Sequence, residues 1–178
     1  MCGIIGISSN KSVSANIIDC LKKLEYRGYD SAGIATLSGG IINEVKSEGR
    51  VDNLEKNFDL KKLSGNIGIG HVRWATHGIP NSVNAHPHSS DNVSVVHNGI
   101  IENSTLLKKD LVSKGHMFKS QTDTEVIAHL ITENLKIFEL QDAITKTLKQ
   151  LHGSFALGII FKDKSDLIIG ARRGSPLA

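Results

Sequence analysis

Met1 is followed at once by Cys2, and the segment MCGIIGISS places a glycine and a short apolar run behind that thiol. A frayed chain end is a poor place to bury a cysteine. If Met1 is removed, Cys2 becomes the N-terminus and carries a thiol and a free α-amine, a nucleophile beside its own base. An α-amine titrates at about 7.7–8.0, so near neutral pH part of it can accept the thiol proton and later return it to a leaving amine. The plain alternative is a buried, inert cysteine near the start of the chain.

Four other stretches hold residues of the right types. In VVHNGIIEN, Asn98-Gly99 between apolar flanks reads by itself as a type I′ hairpin turn. The same pair could supply an oxyanion hole, with the Asn98 amide and the open Gly99 N–H as donors. In GHVRWATHG, Arg73 offers a fork for a carboxylate or else a surface ion pair, and Trp74 is either a core residue or a flat lid. Asp123 follows Thr122, where an acid complements a helix dipole or meets a ligand ammonium. His86 and His88 in NAHPHSS could bind a metal, but no third ligand has an obvious spacing, so a structured loop is the simpler reading.

These residues need elements to carry them. Strands are expected at 3–8, 33–37, 41–45, 67–74, 93–97, 154–161 and 167–171. A helix over 13–25 has Val13, Ile17, Ile18, Leu21 and Leu24 on one face, with Cys20 on that face as core. Asn103 can cap a second helix that Gly115 ends, and Thr122-x-x-Glu125 reads as a capping box for a third. A fourth runs over 141–151. Strict βαβα alternation is absent, so an α+β fold with layered antiparallel sheets is expected. The chain stops at ARRGSPLA, just after a strand, which suggests a piece of something longer.

Composition narrows the classes. The 178 residues are 39% hydrophobic and 22% charged, as in one globular domain. A net charge of +3 is too small to argue for nucleic acid, and the pairs Lys22-Lys23, Lys61-Lys62 and Lys108-Lys109 read as solvated faces. Gly65, Gly68 and Gly70 do not form a dinucleotide-binding fingerprint. Two cysteines make no disulfide framework, and no apolar run reaches the ~20 residues of a membrane helix. No membrane partner is expected, and a reducing cytoplasm is the economical location.

Taken together, MCGIIGI, YRGYDSAG, HVRWATHG, NAHPH, VVHNGIIEN and QTDTEVIAHL resemble the N-terminal glutaminase domain of class II glutamine amidotransferases. YRGYDSAG with RWATHG is similar to the branch that aminates fructose 6-phosphate, and the likeness runs from Met1 to Ala178. The resemblance implies a four-layer αββα sandwich of the N-terminal-nucleophile (Ntn) hydrolase type, short of its C-terminal part. It implies hydrolysis of L-glutamine through a Cys2 γ-glutamyl thioester, with no metal or other cofactor. Asn98 and Gly99 would hold the oxyanion, and Arg27 and Gly28 would support the nucleophile. Arg73 would clasp the substrate carboxylate with Thr76 and His77 beside it, Asp123 would take the ammonium, and Trp74 would close over glutamine. Fructose 6-phosphate would meet only sugar-isomerase domains that this chain lacks, within a homo-oligomeric parent. The alternatives are a phosphoribosyl acceptor, or an inactive chain that retains Met1.

Overall fold

The computed structural model describes residues 2–59 and 62–178, so Met1 and Lys61, on which two of the readings above fall, lie outside the described residues. Strand β1 (Gly3–Ser8) leads into helix α1 (Ser14–Leu24) and a single 3-10 turn at Glu25–Arg27. Strands β2 (Ser31–Ser38) and β3 (Ile41–Glu48), helix α2 (Asp52–Asn57) and strand β4 (Ile67–Arg73) complete the first half. The second half holds β5 (His88–Ser90), β6 (Val93–Ile101), α3 (Ser104–Ser113), α4 (Glu125–Leu135), α5 (Leu140–Gln150), β7 (Gly153–Phe161) and β8 (Ile168–Arg173). All strand pairings within two four-stranded sheets, ordered β1-β4-β2-β3 and β5-β6-β7-β8, are antiparallel.

Strand periodicity sorts the side chains into layers. Along β2 and β4, Ala35, Leu37, Ile67 and Ile69 meet Val96 and Ile160 of the other sheet. The opposite-face residues Ala32, Ile34 and Val72 pack with Ile17, Ile18 and Leu21 of α1. Beyond the second sheet, Val93, Val95, Leu157 and Ile159 are covered by Leu107, Leu111, Ile127, Ile131 and Ile144 of the later helices. The order is therefore helix, sheet, sheet, helix, as expected. Gly68 and Gly70 explain the tight seat of α1: a Cβ there would stand 2.7 Å from Ile17 Cδ1 and 2.5 Å from Ile17 Cγ2.

Several local expectations need correction. Asn98-Gly99 is not a turn; it lies inside β6, opposite Ala156 and Phe155, because β7 supplies a backbone partner that carries the strand on to Ile101. Cys20 is half-buried rather than core, at the edge of the α1 face. Asn103 does not cap α3 with its side chain, which instead donates to Gln150 O and accepts from His152 N. Nor does the capping box form. Helix α4 starts at Glu125, whose carboxylate turns back to the N–H groups of Lys119 and Ser120. Strand β5 and helix α2 were not anticipated, being three and six residues long with little apolar periodicity.

Candidate active site

Antiparallel pairing of β1 with β4 sets Gly3 opposite Val72, so Cys2 falls beside the end of β4 where Arg73 and Trp74 leave the sheet. The thiol accepts from Trp74 N at 3.3 Å and faces Trp74 O at 3.5 Å. The Cys2 carbonyl is held from two sides, by Arg27 Nε at 3.1 Å and by Asn98 Nδ2 at 3.1 Å. A primary amide has two N–H donors, so Asn98 keeps one for a ligand. Gly28 makes the approach possible: a Cβ there would lie 2.5 Å from Arg73 C and 2.7 Å from Trp74 N.

A narrow cleft joins Cys2, Arg73, Trp74, Thr76, His77, Gly99 and Asp123. Larger clefts open elsewhere, one against Glu44, Lys46 and Val83 and one against Ser90 and His129, but neither holds a cysteine. Gly99 has φ +141, and a Cβ on it would meet Ser154 O at 2.1 Å. Only glycine fits this backbone, and the absence of a side chain leaves its N–H approachable. Thr76 Oγ1 lies 3.2 Å from His77 Nδ1. Trp74 is half exposed and edge-on to Tyr29 at 5.8 Å, so it is a rim residue and not core.

Two opposite charges are buried in this cleft. Arg73 is 3% exposed, and its guanidinium donates to the carbonyls of His77, Gly78 and Ile79. Asp123 is 7% exposed, and its Oδ2 accepts from Ile101 N at 2.8 Å. Among the described residues neither charge has an ion-pair partner. A buried charge held only by dipoles is costly to maintain and well suited to an oppositely charged ligand.

Burial pushes the Cys2 thiol above its ordinary range, against the opposing pull of the Trp74 N–H and the Arg73 charge. The thiol therefore arrives protonated and needs a base. Among the described residues the thiol's hydrogen-bond contacts are both with the Trp74 backbone, and no imidazole is bonded to it.

Sequence reasoning missed the histidine floor. His86 and His97 also line the cleft. Thr124 Oγ1 bridges His86 Nε2 at 2.7 Å and His97 Nδ1 at 2.9 Å. His71 Nε2 donates to His97 O at 2.9 Å and stacks on His86 with centroids 4.0 Å apart. His88 Nε2 contacts Thr122 Oγ1 at 3.0 Å. Burial drives His71 down to about 3 and His97 to about 4, the latter against the attraction of Asp123. His86 and His88 are thus engaged in a polar wall. Asp30 was also missed: its N donates to Arg73 O, and its carboxylate accepts from Ala75 N, so it clamps the backbone that presents Trp74 N to the thiol.

A family model for the glutamine amidotransferase domain matches residues 71–174. The chain belongs to that family. The glutamine–fructose-6-phosphate aminotransferase of Mesorhizobium japonicum is 55% identical over 100% of this chain and 30% of its own length. The enzyme of the same name from Pyrococcus horikoshii is 54% identical over 99% of this chain and 30% of its own length. The chain thus spans about 30% of the length of these curated relatives. Among solved structures, the glutamine phosphoribosylpyrophosphate amidotransferase of B. subtilis superposes with a TM-score of 0.83 at 32% identity, over 97% of this chain and 37% of that one. A class-II glutamine aminotransferase domain protein from Silicibacter pomeroyi shares the fold at TM-score 0.68 and 14% identity, over 99% of this chain and 78% of that one. The fold is that of an Ntn-type glutamine amidotransferase. The phosphoribosyl alternative is not favoured, since fructose-6-phosphate relatives are far closer in sequence. No helix of the described residues is long and apolar enough to cross a membrane.

Proposed function

We propose that the processed chain hydrolyses L-glutamine to L-glutamate and ammonia. The observation that carries this reading is the cleft lined together by the Cys2 thiol, a buried cation, Arg73, and a buried anion, Asp123. An α-amino acid supplies both missing partners, and its side-chain amide then extends toward the sulfur.

The Cys2 thiol gives its proton to its own α-amine, and sulfur attacks the carboxamide carbon. The oxyanion that forms accepts hydrogen bonds from Asn98 Nδ2 and Gly99 N. Collapse breaks the C–N bond, the ammonium returns its proton to the leaving nitrogen, and ammonia departs. The γ-glutamyl thioester is then attacked by water, deprotonated by the same amine, to release glutamate. Arg73, with Thr76 and His77, takes the α-carboxylate, and Asp123 takes the α-ammonium. Arg27 and Gly28 hold the nucleophile's backbone, and Trp74 covers the bound substrate.

In the whole protein, this reading makes residues 1–178 the ammonia-producing domain. Sugar-isomerase domains elsewhere would aminate fructose 6-phosphate, within a cytoplasmic oligomer. The names of the relatives and their greater length support that assignment. The test pairs intact mass with turnover. Protein lacking Met1 should hydrolyse glutamine and be labelled once, at Cys2, by a glutamine-shaped diazoketone, with Cys20 untouched. Turnover of simple amides as fast as glutamine would refute the reading.

A further inference from the structure

The motif NAHPH contains a residue that the chemistry above leaves unused. Asn84 is 1% exposed, and its amide lies between the loop that follows Arg73 and the loop that carries Asp123. On one side Nδ2 donates to Ile79 O at 3.0 Å, the carbonyl that also receives Arg73 Nη1. On the other side Oδ1 accepts from Gln121 N at 2.9 Å, two residues before Asp123. The Gln121 side chain closes the circuit, since its Oε1 accepts from Asn84 Nδ2 at 3.2 Å and from Ile79 N at 3.4 Å. Because one partner is a backbone carbonyl and the other a backbone N–H, the amide can point only one way. The loops are pressed together here: a Cβ on Gly78 would lie 2.7 Å from Asn84 Nδ2 and 2.9 Å from Gln121 Cβ.

We propose that Asn84 is a specificity-determining positioning residue, whose amide fixes the span between Arg73 and Asp123 so that the site reads both charged groups of one α-carbon together. The proposal rests on the glutamine reading above. A substrate that carries carboxylate and ammonium on one carbon demands a set separation between their partners, and a displacement near 1 Å is costly. A fully satisfied buried amide is stiff enough to hold that separation. Neither charged side chain could do so, because Arg73 is tied to the carbonyls of the loop that follows it and Asp123 to Ile101 N at the end of β6, so neither spans the two.

The experiment compares Asn84→Ala with the parent on three amides: L-glutamine, 4-carbamoylbutanoate (no ammonium) and 4-aminobutanamide (no carboxylate). The expected result is a rise of about tenfold or more in KM for glutamine, with kcat within about threefold. For the single-ended amides, kcat/KM should move less than about threefold, because one charge needs no register. Labelling of Cys2 by iodoacetamide should be unchanged. Gln121→Ala, which removes only an exposed side chain from the circuit, should shift glutamine the same way by less, and it decides the matter if Asn84→Ala does not fold. Equal losses on all three amides, or a fall in kcat at constant KM, would overturn the proposal. So would a Gln121→Ala protein that keeps the parent's full preference for glutamine. A parent that does not prefer glutamine over the single-ended amides would instead defeat the glutamine reading itself.

Discussion

Acidification from pH 7 to pH 5 should strip this protein of much of its stability, through the imidazoles beneath its active site. His71, His88 and His97 are at most 3% exposed and sit neutral, driven down to about 3, 3 and 4 by burial. The titratable and charged groups facing them are Arg73, Lys46 and His77, whose positive charge reinforces the shift when present, and Asp123 and Glu125, which oppose it. The unfolded chain takes up protons near 6.5 and the folded chain does not, so folding is favoured above that value and loses support as pH falls. Between pH 7 and pH 5 each of the three contributes about 2 kcal/mol to that loss, about 6 kcal/mol together. Global stabilities are about 5–15 kcal/mol, so the folded state should be marginal near pH 5. Urea unfolding at half-unit pH steps reads the effect directly. A free energy of unfolding that is flat between pH 7 and 5, or one that rises on acidification, would refute the burial argument.

Further outcomes follow from the site. Asp123→Asn keeps an acceptor for Ile101 N but removes the charge, so KM for glutamine should rise about 10- to 100-fold with little change in melting temperature. Asn98→Ala removes a donor to the oxyanion and to Cys2 O, and kcat should fall about a hundred- to a thousandfold in a steady-state ammonia assay. Protein whose intact mass shows Met1 retained should release no ammonia, because an amide nitrogen cannot accept the thiol proton. Alkylation of Cys2 by iodoacetamide should keep accelerating beyond the ordinary thiol range, in line with its raised pKa, when followed by mass spectrometry across pH.

Much of the layering was legible because periodicity reports burial. The 3.6-residue spacing of Ile17, Leu21 and Leu24 and the β-branched runs of β1, β4 and β7 each name an element without help from its neighbours. Short elements escaped for the same reason, since β5 exists only because β6 pairs with it. The Asn98-Gly99 pair shows the limit best. Its local preference is a turn, yet β7 lies alongside and the pair is drawn into the sheet, with φ +141 taken up by the glycine. Glu125 likewise has the sequence of a capping residue but finds better donors in the Lys119 and Ser120 backbone.

The sequence by itself determined the chemical kit: a thiol that gains a free amine once Met1 is removed, a fork for a carboxylate, an acid, and a glycine N–H. Side-chain types and local motifs suffice for that, because reactivity begins with which groups are present. Only the tertiary structure decided that Cys2, Arg73, Gly99 and Asp123, far apart along the chain, share one cleft. It alone buried four histidines as neutral scaffolding and ran the Asn84 amide between the two charged loops. Distances across sheets and loops depend on register and packing, which no single stretch of sequence encodes.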